Sequence, residues 1–283
     1  MDRFYACQAA IEISPLKTVL VNCSDDNFLK QRNLNSRSAR LFGGFDQIYS
    51  FSTSDIDPAF RAEHDKILSQ KRGAGYWLWK PYFINKVYQE LNEGDYLFYC
   101  DAGALFINNV RHLIKALEQT TQSVMPFELP LIEYEWTAES VLRDYRAFET
   151  GAAFSNQICA TYLLIRKSEQ SDLFIQRWFA ACQRADHITD DVVLGPLAKA
   201  HRHDQSVLSL VCKEFGLQTF KDPSDYGRFP WRYFASGRTF RTNSLKHLPV
   251  IVLSVRKSQP FIYLFKYFAR VFVVFFTRRK HEV

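Results

Sequence analysis

The stretch that decides the fold is Tyr96–Phe106, YLFYCDAGALF. Five apolar or aromatic residues run without a break into Asp101, and the chain turns at once on Ala102-Gly103. The run reads as a buried strand with a carboxylate at its tip. Such a carboxylate is costly to desolvate unless something at that tip needs it. No second acid stands beside it.

Working outward, KTVLVNCSDDNF supplies a β-branched strand over Thr18 to Cys23 that ends in polar turn residues. QIYSFSTSDIDP repeats the pattern, with a strand over Gln47 to Phe51. KPYFINKVYQEL is helical, Pro81 being tolerated in its first turn and Phe83, Ile84, Val87 and Leu91 forming its apolar face. NNVRHLIKALEQ is an amphipathic helix, SVMPFELP a short strand, and WTAESVLRDY a helix with Thr137 as N-cap. ICATYLLIRKS is a long apolar strand and SDLFIQRWFAACQRA the helix after it. HDQSVLSLVCKEFG is a helix that starts near Asp204 and is stopped by Gly216. Strands alternating with helices predict an α/β layered fold with a mainly parallel central sheet. Ligands bind such sheets outside the carboxyl ends of the strands. Three of those ends carry polar atoms: Asn22 to Asp26 (with Ser24 between them), Ser50 to Asp57, and Asp101. No GxGxxG or GxxxxGK[ST] occurs, so neither a dinucleotide fingerprint nor a P-loop is supported.

Charge separates the body from the tail. The 283 residues hold 36 Lys/Arg against 30 Asp/Glu, a net +6. Seven of those cations and one acid lie in residues 256–283, so the preceding 255 residues are balanced. A basic body surface for nucleic acid is therefore not supported. The six cysteines show no CxxC pairing and most sit inside apolar runs, which favours free thiols in a reducing compartment. The N-terminus lacks the long apolar core of a signal peptide, Glu12 interrupting it.

The tail, PFIYLFKYFARVFVVFFTRRKHEV, is apolar from Phe261 to Phe276 apart from Lys266 and Arg270. Those two are four apart and share a helix face. Sixteen helical residues reach roughly 24 Å, short of a hydrocarbon core of roughly 30 Å. The reading is an amphipathic helix lying on an anionic membrane surface, aromatic face down, with Arg278-Arg279-Lys280 against lipid phosphates. The alternative is a helix docked on the body. The division expected is a single domain over 1–255 and a basic aromatic membrane-surface helix over 256–283.

Three further clusters carry chemistry. QKRGAGYWLWKPYF packs Lys71, Arg72 and Lys80 with two glycines and several aromatic rings. Gly73 and Gly75 permit close backbone approach, Arg72 and Lys80 suit phosphates, and rings such as Tyr76 suit a sugar or base. HRHDQSVLSL sets His201, His203, Asp204 and Gln205 at the mouth of a helix, where imidazole ligates a metal or phosphate, or Asp204 serves only as a cap and both histidines are surface residues. DHITDD reads as a solvated acidic loop, and Glu133, Glu135 and Glu139 are candidate bases among which spacing does not choose.

Taken in order, RGAGYWLWKPYFI, DYLFYCDAGALF and HRHDQSVLSLV resemble bacterial sugar-nucleotide-dependent glycosyltransferases of the GT-A fold, of the kind encoded with lipopolysaccharide, O-antigen and capsule genes. The resemblance covers roughly residues 17 to 220, and it extends to EYEWTAESVL and NQICATYLLIRKSEQSDLFIQRWF. It implies a GT-A-like fold and transfer of a hexose from a nucleoside-diphosphate sugar, UDP-linked, to a lipid-linked or lipopolysaccharide glycan. It implies donor binding by Asn22, Ser24, Arg72, Tyr76, Lys80, Asp101, Gly103 and Gln157, and places Asp204 and Gln205 at the reacting centre. The family's DxD motif binds Mn²⁺ or Mg²⁺. Here Asp101 matches the first acid and Gly103 stands where the second would be. Either His203 or Asp204 joins Asp101 in holding the divalent cation, or Arg72 and Lys80 take its place. With no compelling base, the retaining course is the expected one. The protein is expected in the cytoplasm, peripheral on the inner face of the cytoplasmic membrane. The alternatives are a sugar nucleotidylyltransferase, which wants a glycine-rich basic loop after the first strand, and a catalytically inactive carbohydrate- or membrane-binding module.

Overall fold

A computed structural model describes residues 15–242, 248–256 and 258–279, with side chains described as far as residue 274. The N-terminal segment and the Arg278-Arg279-Lys280 cluster, read above from sequence, lie outside the residues described in full.

The strands are β1 (Thr18–Ser24), β2 (Gln47–Ser52), β3 (Tyr96–Cys100), β4 (Leu105–Phe106), β5 (Val124–Ile132), β6 (Asn156–Arg166), β7 (Phe220–Lys221) and β8 (Val252–Leu253). The main helices are α1 (Leu29–Ser38), α2 (Trp79–Tyr88), α3 (Arg111–Leu117), α4 (Glu169–Cys182), α5 (Asp204–Glu214) and α6 (Pro260–Arg279). Six strands form one sheet in the order β2-β1-β3-β6-β5-β7. β1 pairs parallel with β2 and β3, β7 pairs parallel with β5, and β6 runs antiparallel to both its neighbours. One reversed strand in six makes the sheet mainly parallel, as expected. The reversed strand is the long apolar ICATYLLIRKS stretch, whose direction an apolar run does not encode.

The uninterrupted apolar runs follow from burial on both faces of the sheet. All five residues of β3 and all nine of β5 are buried. One core cluster packs Val19, Val21, Leu97 and Tyr99 against Phe83, Ile84 and Val87 of α2 and Phe174 and Trp178 of α4. The opposite cluster packs Leu20, Phe98 and Cys100 against Leu113 and Leu117 of α3. Alternate residues of one strand thus serve opposite layers. Cys23, Cys100, Cys159, Cys182 and Cys212 are free and buried.

Three local expectations are corrected. The WTAESVLRDY helix is split: a turn at Glu133–Trp136 precedes a helix at Glu139–Asp144, and Ala138 rather than Thr137 occupies its N-cap position. The Thr137 hydroxyl donates instead to Glu133, a buried carboxylate that needs it. The DHITDD segment is not a simple solvated loop, because His187 and Ile188 are buried and Asp190 is bonded by Arg72 and Tyr76. His201 and His203 are buried as well.

The tail helix α6 docks on the body along one face. Tyr267 is buried, and Tyr263, Leu264 and Val271 pack beside it on Phe229, Val250, Leu253 and Val255. Phe261, Phe265, Phe268 and Phe272 form an exposed stripe elsewhere on the helix, at i, i+4, i+7 and i+11. Among the described residues no helix is long and apolar enough to cross a membrane.

Candidate active site

A cavity of about 540 Å³ opens at the carboxyl ends of β1 and β3. Ser24, Asp25 and Phe28 line one part of it, Gly73 and Trp77 another, and Asp101 to Ala104 its floor. The remaining wall comes from the C-terminal region through Asp222, Tyr226, Tyr233, Ser254 and Arg256.

The Asp101 turn is fixed from below. The Asp101 amide donates to Thr161 across β6, and the Ala104 amide closes the turn onto the Asp101 carbonyl. Asn22 is fully buried and donates to Asn35 and Ser36. Asn35 in turn donates to the Ala104 carbonyl at 2.8 Å. Asn22 is therefore a brace behind the turn rather than a group facing the cavity. Ser24 and Asp25 differ from it: Ser24 Oγ and Asp25 Oδ1 are buried at the cavity edge with no partner among the described residues. Buried polar atoms are rarely left so unless a ligand or water completes them.

Asp101 accepts from the Tyr99 hydroxyl at 2.7 Å and lies 3.4 Å from Lys80 Nζ. Lys80, on α2, is buried and also sits 2.7 Å from Asp204 Oδ2 at the start of α5, while donating to the Ala160 carbonyl. One lysine thus joins the two carboxylates that the sequence singled out from distant segments. Burial alone would pull the Lys80 ammonium down; Asp101 and Asp204 outweigh it and hold the group above the ordinary lysine value. Burial pushes the Asp204 carboxyl up to about 6, with Lys80 opposing the shift and the charge of Asp101 adding to it. Gln205 is held beside this group, accepting from the Ala160 amide and donating to Gln157 Oε1 at 2.8 Å. Gln157 is fully buried and donates to Glu133, so it supports Gln205 from one layer behind instead of touching a ligand.

The remaining sequence candidates are brought together elsewhere. Arg72 makes a two-pronged contact with Asp190, and the Tyr76 hydroxyl donates to the same carboxylate. His203 stacks on Trp77, places Nδ1 2.8 Å from the Ile188 carbonyl and has Nε2 3.9 Å from Asp190. Its burial lowers its tendency to protonate. The structure does not bring His203 to Asp101.

Backbone strain concentrates around the cavity. Gly73, Ala74, Gly75, Tyr76 and Trp77 have φ of 57°, 50°, 97°, 50° and 60°, a left-handed helical turn. L-residues adopt this conformation at a cost of about 1–2 kcal/mol each, and runs of it are rare. Gly73 and Gly75 therefore serve the turn itself. His203 and Arg256 have positive φ too, and of the six such non-glycine residues described, Ala74, Trp77 and Arg256 line the cavity. Held strain of this kind gathers at functional sites.

Whether the site suits a divalent cation is decided at Gly103. Mg²⁺ and Mn²⁺ want several oxygen ligands. Asp101 is already engaged by Tyr99 and Lys80, and position 103 offers no side chain. A Cβ there would stand 3.2 Å from the Arg256 Cα, and the Arg256 amide donates to the Gly103 carbonyl at 2.6 Å. The second acid's place is filled by the backbone of an arginine. These residues do not fit a divalent cation. Among the described residues one group of three carboxylate or imidazole ligands converges, Asp144, Asp186 and His187, and none of them lines the cavity. Arg184 already bridges its two carboxylates.

Sequence reading missed the C-terminal wall. The short pairing of β4 with β8 carries residues 252–256 to the Asp101 turn, and two-residue strands leave little periodic signal. The run VIVLSVRK was the available clue.

No protein-family model matches the chain, and no curated protein does. Among solved structures it is similar to the galactosyltransferase LgtC in complex with donor and acceptor sugar analogues, at 16% identity and a TM-score of 0.48 over 86% of this chain and 87% of that one. It is similar to mouse xyloside xylosyltransferase 1 in its apo form, at 9% identity and a TM-score of 0.45 over 84% and 97%. A third likeness is to the apo glycosyltransferase GlyE of Streptococcus pneumoniae, at 18% identity and a TM-score of 0.40 over 85% and 54%. These are likenesses of overall shape, and nothing about the chemistry of the chain follows from them.

Proposed function

We propose that the chain is a GT-A-like glycosyltransferase that moves a hexose from a nucleoside-diphosphate sugar, UDP-linked, to a lipid-linked, lipopolysaccharide or capsule glycan. The observation that carries this reading is the cavity at the ends of β1 and β3, which combines unpartnered polar atoms, aromatic walls and a fixed carboxylate beside cations. Ser24 Oγ and Asp25 Oδ1 suit the hydroxyls or base edge of a nucleoside, and Phe28 offers a ring beside them. Asp101, with its geometry set by Tyr99 and Lys80, suits a hydroxyl of the donor sugar.

The retaining course remains the preferred one. Asp101 is engaged as described, and Asp222 accepts from the Ser224 amide and the Tyr233 hydroxyl. With these two acids already bonded and the third in the lining, Asp25, assigned above to the nucleoside, the departing diphosphate is the natural acceptor of the incoming hydroxyl's proton. Asp204, behind Lys80, positions that lysine and reaches the donor only through it.

In this reading residues 1–255, with the cavity-lining Arg256 at their end, carry out transfer, and the remainder of 256–283 holds the enzyme on the inner face of the cytoplasmic membrane, where a lipid-linked acceptor lies. The exposed Phe261, Phe265, Phe268 and Phe272 stripe supports that attachment, since an exposed aromatic face of this kind favours a lipid surface. A nucleotidylyltransferase fits less well, because an acidic turn at Asp25-Asp26 follows β1 in place of a basic glycine-rich loop.

The test is a panel of UDP-, GDP- and dTDP-hexoses, scored for hydrolysis and for transfer to lipid-extract acceptors. Release of nucleoside diphosphate from one donor class is expected. Binding of a donor without turnover supports the inactive module, and no binding across the panel removes the reading altogether.

A further inference from the structure

Among the described residues, four cations near the cavity and the Asp101 turn bear on the choice, and they fall into two kinds; a fifth, Arg202, sits over the Trp136 ring. Arg72 is paired with Asp190, and Lys80 is buried between Asp101 and Asp204. The two that the sequence offered as stand-ins for a metal are thus already neutralised. Lys71 and Arg256 line the cavity, and among the described residues neither side chain has a hydrogen bond or ion-pair partner. Arg256 is the better placed. Its amide is bonded to the Gly103 carbonyl, its Cα lies against the one position where a second metal-binding carboxylate would project, and its backbone holds φ of 52°. A left-handed arginine persists only where its surroundings fix it.

Those surroundings are built for the purpose. Asp225 is fully buried and pairs with Arg232. It accepts from the Ser254 amide at 2.9 Å and from the Tyr263 hydroxyl of α6 at 2.7 Å. One carboxylate therefore ties together the strand that precedes Arg256 and the helix that follows it. A glycine at 103 is what lets this segment approach, since any side chain there meets the Arg256 backbone.

Resting on the nucleotide-sugar reading, we propose that Arg256 holds the donor diphosphate in the place a divalent cation would otherwise take, with Lys71 as a second counter-charge, so that donor binding is independent of metal. A guanidinium offers paired N–H donors to phosphate oxygens and keeps its charge at every relevant pH. It stabilises the negative charge that gathers on the leaving diphosphate as the glycosidic bond breaks.

The test is calorimetric binding of UDP, GDP and dTDP, and of the matching nucleosides, to the full chain with EDTA or with Mn²⁺. It is run on wild type, Arg256→Gln and Arg256→Lys. Wild type is expected to bind one nucleoside diphosphate equally well in EDTA and in Mn²⁺. Arg256→Gln is expected to weaken that binding about 10- to 100-fold, the range for loss of charged hydrogen bonds, while leaving nucleoside binding unchanged. Arg256→Lys should recover part of the loss. Tenfold or greater strengthening by Mn²⁺, or equal diphosphate affinity in Arg256→Gln, overturns this inference and leaves the nucleotide-sugar reading standing. Absence of binding by wild type to every nucleotide overturns both.

Discussion

The two walls of the cavity use their cations in opposite ways. On the strand-end wall, Lys80 is buried and faces two carboxylates contributed by β3 and α5. On the tail wall, Arg256 is exposed, is bonded among the described residues only through its backbone, and follows a two-residue strand. A buried cation between acids organises a site and has little charge left to offer. An unpaired one on a cavity wall is available to an incoming anion. The difference separates residues that build the site from residues that bind at it, although both kinds are basic and both lie near Asp101.

The comparison is broken most directly at Lys80. Lys80→Met leaves Asp101 and Asp204 facing each other without a cation, and removing one partner of a buried ion pair costs about 3–5 kcal/mol. Urea unfolding followed by tryptophan fluorescence should show a loss of that size. A variant as stable as wild type would mean that Lys80 is not a structural cation, and the contrast between the walls would fail.

A smaller effect, confined to the same wall, comes from Asp204. Its carboxyl is pushed up to about 6 by burial, above the ordinary aspartate value of 3.8. Between those limits the folded protein holds a proton that the unfolded chain has lost. Asp204 therefore contributes a fall in stability as pH rises from about 4 to 6, on the order of 1–3 kcal/mol. Lys80 stays charged throughout that window; Asp222, also raised by burial, adds to the fall, and His187, His201 and His203, lowered by burial, oppose it, so the Asp204 share is read from its variant. Asp204→Asn should remove that share, measured as the change in the difference between urea midpoints at pH 4 and pH 6.5 from one protein to the other. An unchanged slope would show that Asp204 ionises in the fold as freely as in solution.

How much of this was legible beforehand follows the same division. The strand-end wall announces itself, because an apolar run ending in Asp101 and a helix beginning at Asp204 are local patterns. Their pairing through Lys80 is a tertiary fact, yet all three residues stand out singly. Asn22 and Gln157 were legible as polar residues near strand ends, but sequence does not tell which side of the sheet a side chain faces. Both turn inward, one bracing the Asp101 turn and the other bracing Gln205. The left-handed turn at residues 73–77 was signalled only by its two glycines, since Ala74, Tyr76 and Trp77 carry no propensity for it. Arg256 was hidden among the tail's excess charge. Nothing local distinguishes a cation that reaches back to a glycine 153 positions earlier from one that faces a membrane.

The tail wall also has an outward side, and there the smallest change in stability is expected. Tyr267 is 5% exposed and docks α6, whereas Phe268, its neighbour in sequence, is 56% exposed. Phe268→Ser removes a ring that packs on little of the body, so folding stability should stay within about 0.5 kcal/mol of wild type. If the exposed stripe seats on lipid, the same change removes an apolar side chain from that contact. Burying such a ring is worth roughly 1.5–3 kcal/mol, so partitioning onto vesicles containing anionic lipid should fall about tenfold or more. Nucleotide affinity at Arg256 should not move, because Tyr263 and Tyr267 still hold the helix to the body. Co-sedimentation with vesicles, read beside calorimetry on the same samples, separates the two sides of this wall. A variant that keeps its vesicle binding would take the aromatic stripe out of membrane contact while leaving the role of Arg256 untouched.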